Sequence, residues 1–148
     1  MATIHNEVLI HAPLEKIWDV LATPDLLDKY DPTVRKSSLI KLSQDNLGSK
    51  RRVEMADGKN WFEEEITEFK PCDALTFELV ACSFPVTRLK HSYSFQKIGN
   101  ETRVSQVMEY TVKFGLVGKI LDVLMIRRQS DQGIKKFFSG LKKYVESK

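Results

Sequence analysis

With 148 residues, 42% of them hydrophobic, the chain has the length of one domain with one core, enough to bury roughly 70% of its unfolded surface and to tolerate a cavity inside it. A net charge of +3 made of interspersed acids and bases is too weak an imbalance to argue for nucleic acid or an anionic membrane, and no nucleic-acid partner is expected. There is no apolar run of about 18 residues, and the N-terminus MATIHNEVLIHAP lacks a basic segment followed by an apolar one. Neither an integral membrane contact nor a signal peptide is therefore expected, and the expected location is cytoplasmic. Cys72 and Cys82 have neither metal-ligand spacing nor the density of a disulfide scaffold, so they read as free thiols.

Residues 3–11 read as a first strand that stops at Ala12-Pro13. Pro13 suits a first helical turn, and the following LEKIWDVL puts Ile17, Val20 and Leu21 on one face with Trp18 beside them. Thr23-Pro24 breaks this helix and starts a second short one ending near Tyr30. From Val34 the apolar period becomes two, with turn chemistry at 44–48, 57–58, 70–73, 83–85 and 99–100. Six strands are thus predicted, at 34–43, 48–56, 60–69, 74–82, 86–97 and 101–113. Short connections make them antiparallel neighbours, and the first strand is expected beside the last. Asp57-Gly58 is the strongest hairpin signal and predicts a two-residue primed turn.

The segment 115–148 has a helical period and, at about 1.5 Å per residue, would be roughly 50 Å long. Leu116, Ile120, Val123, Ile134, Phe137, Phe138, Leu141 and Val145 share one broad face, which also carries Arg127 and Ser130. The stripe is apolar at both ends and polar in the middle, which suggests one wall of a cavity. Gly133 and Gly140 each cost about 1 kcal/mol relative to alanine in a helix interior. They point to a bend or to the close approach of something bulky, or are merely tolerated.

This order of elements, with the opening IHAPLEKIWDVLATPDLLDKYDP, Gly48 followed by Arg51 or Arg52, Trp61 with Ile66, Pro71 ahead of Leu75 and Phe77, and the ending Leu141-Lys142 to Glu146, resembles the START/Bet v 1-like (SRPBCC) superfamily. Within it the chain resembles the polyketide cyclase/dehydrase and lipid-transport group. The resemblance implies an α+β helix-grip fold over residues 1–148: a seven-stranded antiparallel curved sheet wrapped around a long C-terminal helix, with two short helices between strands one and two. It also implies an apolar tunnel between sheet and helix.

Polar residues that interrupt inward faces are the candidates for contact with whatever fills that space. In the last strand Gln106 and Tyr110 fall on the apolar face with Val104, Met108 and Val112; a buried amide or phenol there needs a partner, from the protein or from a ligand. In the strand before it, Leu89, His91, Tyr93 and Phe95 share a face. His91 is either a satisfied core histidine or a group that exchanges protons near neutral pH. On strand 60–69, Glu64 points inward if Phe62 and Ile66 mark the inner face, and outward if Trp61 and Phe69 do. An inward Glu64 should have a raised pKa or a base nearby. Arg127 either pairs with Asp131 one turn on or clamps an anionic group at the cavity mouth, where its planar fork suits a carboxylate or phosphate. Lys50-Arg51-Arg52, Lys135-Lys136 and Lys142-Lys143 read as solvated faces. His5 and His11 lack companions at ligand spacing, and glycine-rich phosphate loops, nucleophile elbows and CxxC motifs are missing, so neither a metal nor a cofactor is implied.

The expected function is binding of a small apolar or aromatic ligand, such as a lipid, polyketide or isoprenoid-like molecule, for sequestration or transfer. His91, Tyr93, Gln106, Tyr110, Glu64, Arg127 and Ser130 are the candidate ligand-binding residues. One alternative is a cyclase, aromatase or dehydratase in which His91 or Glu64 moves protons and Tyr110 or Arg127 stabilises an oxyanion. Another is a protein-interaction module similar to the co-chaperone branch of the superfamily. The sequence leaves the oligomeric state open.

Overall fold

The structure, a computed structural model, describes residues 2–113, 115 and 126–147. Strand β1 (Ala2–Ile10) is followed by α1 (Leu14–Leu21), a 3-10 turn (Pro24–Leu26) and α2 (Leu27–Tyr30). Six strands come next: β2 (Val34–Lys41), β3 (Lys50–Met55), β4 (Trp61–Lys70), β5 (Ala74–Cys82), β6 (Val86–Ile98) and β7 (Glu101–Val112). Helix α3 (Arg127–Glu146) is the last element. The strands form one antiparallel sheet in the order β1-β7-β6-β5-β4-β3-β2, with β1 beside β7 as the alternating pattern predicts. This is the helix-grip architecture. Among the described residues no helix is long and apolar enough to cross a membrane.

Alternation dictates the inner face of the sheet. Val104, Gln106, Met108 and Tyr110 of β7 are buried, as are Leu89 and Tyr93 of β6 and Leu75 and Phe77 of β5. On β4 the two competing registers are both partly realised. Glu64 and Ile66 point inward, and a register shift between Ile66 and Glu68 then reverses the parity. Phe69 is thereby brought inward to meet the Trp18 ring edge-on, 5.2 Å between centroids. Trp61 stays on the outer face, under the Arg52 guanidinium.

Helix α3 buries Ile134, Phe137, Phe138, Leu141 and Val145, the C-terminal half of the predicted stripe; Leu116, Ile120 and Val123 lie outside the described residues. The Phe137 ring packs against Tyr30 on one side and Tyr93 on the other, at 5.7 and 5.9 Å. The two helix glycines differ. A Cβ on Gly140 would lie 1.9 Å from the Tyr30 carbonyl oxygen, so glycine is what lets α2 touch α3; Gly133 faces open space.

The polar side of α3 is stitched along the edge strand β1. Arg127 donates to the Thr3 carbonyl, Asn6 donates to Asp131, Lys142 donates to the Leu9 carbonyl, and the His11 N–H donates to Glu146. These bonds occupy part of a row of backbone and side-chain groups that an edge strand would otherwise present to a second chain.

The Asp57-Gly58 turn differs from the predicted primed hairpin. Only Gly58 takes a positive φ, +72°. The loop closes through Met55 N–H to the Asn60 carbonyl, and the Asp57 carboxylate accepts from the Lys59 and Asn60 N–H groups, so aspartate serves here as a side-chain cap.

Candidate functional site

On β3 the sequence Lys50-Arg51-Arg52-Val53 alternates faces. Val53 is fully buried, so Arg51 is carried inward with it, and Arg51 is only 5% exposed. The expectation that Lys50-Arg51-Arg52 form a solvated face is therefore wrong for its central member. Directly across on β4 stands Glu64, 2% exposed. Arg51 Nε donates to Glu64 Oε1 at 2.7 Å, and Arg51 Nη2 is also in ion-pair contact with that oxygen. Arg51 Nη1 donates to the Pro24 carbonyl at 3.2 Å, and the guanidinium lies 4.0 Å from the Phe77 ring centroid.

The sequence leaves Glu64 either raised in pKa or beside a base, and the base is Arg51. Burial pushes the carboxyl up, but Arg51 and then His91 hold it down, to about 2, from an ordinary 4.5. Glu64 therefore stays ionised at neutral pH. Its other oxygen faces His91 Nδ1 at 3.7 Å, and the His91 side chain is 18% exposed.

Beside this cluster, Gln106 on β7 stands across from Tyr93 on β6 and donates through Nε2 to Tyr93 Oη at 2.9 Å. Gln106 Oε1 is buried and has no hydrogen-bond partner. Burial pushes the phenols of Tyr30 and Tyr93 above their ordinary value, so both stay neutral. Both also feel the charges of Arg51 and Glu64, which groups them with that pair.

The structure thus brings Glu64, His91, Tyr93 and Gln106 together on the inner face. Tyr110 is fully buried on the same face, further along β7 and cross-strand from Leu89 and Ala2. Ser130 is half-buried, one turn before Ile134. Arg127 is not on the inner face: it is exposed and bonded to the Thr3 carbonyl. The helical wheel gives its direction correctly, but at this level the helix meets the start of the edge strand and not the middle of the sheet. Its expected partner Asp131 is taken by Lys135 at 2.9 Å and by Asn6.

Sequence reasoning missed Arg51 and Tyr30. The signal for Arg51 was available, since it shares a face with Val53. Tyr30 ends a short helix, and its place in the site depends on the Gly140 contact, which no local pattern encodes. Among the described residues no three His, Cys, Asp or Glu side chains are grouped as a metal site would require.

Over residues 1–146 the chain matches the family described as polyketide cyclase / dehydrase and lipid transport. It is a member of that family. No curated protein matches the sequence. Solved structures of the same fold align over nearly all of the chain. A START superfamily protein from Mycobacterium smegmatis aligns at TM-score 0.82 and 15% identity, over 98% of this chain and 97% of its own. A protein from Thermus thermophilus aligns at TM-score 0.84 and 19% identity, over 99% and 98%. The Zhui aromatase/cyclase from Streptomyces sp. R1128 aligns at TM-score 0.80 and 11% identity, over 98% and 93%. At these identities the likeness speaks for the fold, which START proteins and polyketide cyclases share.

Proposed function

We propose that this protein binds a small apolar or aromatic molecule between the inner face of the sheet and α3, and that it sequesters or transfers that molecule. The observation that carries this reading is the pairing of Arg51 with Glu64. The carboxylate has no proton to give at neutral pH and, held at about 2, is a poor acceptor of one. The neighbouring phenols are neutral. Such a set orients a ligand; affinity would come from apolar surface buried against Phe77, Tyr93 and Phe137, at about 25 cal/mol per Å² before the costs of association.

A second reading is supported by the 3.7 Å approach of His91 Nδ1 to Glu64 Oε2. A carboxylate at one imidazole nitrogen can orient the ring so that the other nitrogen serves as a base, as a cyclase or dehydratase requires. Here His91 moves the proton and Glu64 only positions it.

Native mass spectrometry of the purified protein, with solvent extraction of what it carries, tests the first reading. A co-purifying apolar molecule of defined mass is expected, and the same mass should be carried by the His91→Gln variant. A protein that carries nothing and takes up no apolar or aromatic probe would sink it. A variant that accumulates a precursor differing from the wild-type species by water would favour the enzyme.

A further inference from the structure

On the polar face just described, one enclosed acceptor has no partner among the described residues. Gln106 Nε2 is committed to Tyr93 Oη at 2.9 Å, while Oε1, an acceptor only, is enclosed with no partner. Among the described residues nothing donates to it, and the Tyr93 O–H stands at the amide's other end, where its oxygen accepts from Nε2. Val104 and Met108 flank it on β7, the cross-strand Asn6 amide is committed to Asp131, and Tyr93 is boxed by the rings of Phe77 and Phe137. A buried acceptor in apolar surroundings is disfavoured until something donates to it. Among the described residues one other enclosed side-chain oxygen lacks a partner, Asp28 Oδ1, and the second oxygen of that carboxylate already accepts from the Ser37 N–H.

We infer that the ligand presents a hydroxyl to Gln106 Oε1, so that its class is a neutral aromatic or apolar alcohol, not a carboxylate, a ketone or a bare hydrocarbon. The inference rests on the binding reading above and deepens it. Neutrality follows from the same face. Among the described residues the guanidinium on that face is matched by Glu64, so an anionic ligand would meet a compensated cation there, and its charge would be buried beside a carboxylate.

The test is calorimetric titration of the purified chain with four probes of one skeleton: 2-naphthol, 2-methoxynaphthalene, 2-acetylnaphthalene and 2-naphthoate. The naphthol is expected to bind about tenfold or more tighter than its methyl ether, which keeps the oxygen but lacks the donor. The ketone and the carboxylate should be no better than the ether. In Gln106→Leu the ratio of naphthol to ether should fall to near one while the ether still binds. Equal affinities for naphthol and ether in the wild type would mean that a buried water answers Oε1, and would overturn the inference while leaving the binding reading intact. Tighter binding of the ketone or the carboxylate would overturn it too. If no probe binds, the inference is overturned, and the binding reading falls with it when the native mass spectrum also shows an empty protein. Should Gln106→Leu not fold, the wild-type ranking alone decides.

Discussion

Arg51 and Arg52 are adjacent in sequence, each stands across from a glutamate of β4, and each guanidinium lies over an aromatic ring, Phe77 or Trp61. The chemistry is the same and the surroundings are opposite. The Arg51 and Glu64 side chains are 6% and 2% exposed; those of Arg52 and Glu63 are 37% and 29% exposed. One pair is isolated from water and fixes the polarity of the interior, and the other is a solvated contact on the outer face. A single step along a strand separates a candidate binding determinant from a surface ornament, because strand side chains alternate.

The largest effect that would break this symmetry is removal of one inner partner. Arg51→Met strips the buried Glu64 carboxylate of its guanidinium and should destabilise the fold by about 3–5 kcal/mol in urea denaturation. Combining it with Glu64→Leu should recover most of that loss, because an apolar replacement of a whole buried pair is often neutral or favourable. If the double variant regains stability but no longer retains an apolar molecule, the pair serves the ligand and not the fold.

A second inside-outside contrast lies on α3. Gly140→Ala places a methyl 1.9 Å from the Tyr30 carbonyl oxygen and should lower stability by about 1–3 kcal/mol, as overpacking does. It should also shift the Tyr30 ring. Gly133→Ala, into open space, should raise stability by up to about 1 kcal/mol. Thermal melts of the two variants moving in opposite directions would establish the α2–α3 contact; a neutral Gly140→Ala would refute it.

Acid titration gives a smaller effect with a definite sign. The Glu64 carboxyl is held at about 2 in the fold, below its ordinary 4.5. As pH falls the unfolded chain takes up that proton first, so the stability from this group is complete above about 4.5 and is lost as pH falls through about 2. In Glu64→Gln the dependence of stability on pH across this window should be shallower than in the wild type. The smallest expected effect is Arg52→Met, below about 1 kcal/mol and reduced further by salt.

Most of the fold was legible in the sequence because a period of two leaves little freedom once turn residues mark the strand ends. β5 is predicted with its observed bounds, Ala74 to Cys82. The β4 face was ambiguous for a physical reason: the bulge after Ile66 makes both candidate faces true over different halves of the strand. The inward Gln106 and Tyr93 followed from alternation alone. Their hydrogen bond to each other, and the acceptor it leaves over, depend on cross-strand register, which one strand cannot specify. Arg127 shows the converse failure. Its angle on the helix agrees with Ile134, two turns later, but angle says nothing about how far along the helix the sheet extends.

The pairing of β1 with β7 also sets an order of events in synthesis. Ala2 stands opposite Tyr110 and Ile10 opposite Thr102, so β1 is synthesised ahead of β2 to β7 and can pair only after β7 has emerged. At about 5–20 residues per second this is a wait on the order of ten seconds. During it Ile4, Val8 and Ile10 have neither their neighbour strand nor the α3 side chains that later occupy the Thr3 and Leu9 carbonyls. The nascent chain therefore holds this apolar segment unpaired while the six later strands are made, a window in which a chaperone can bind it.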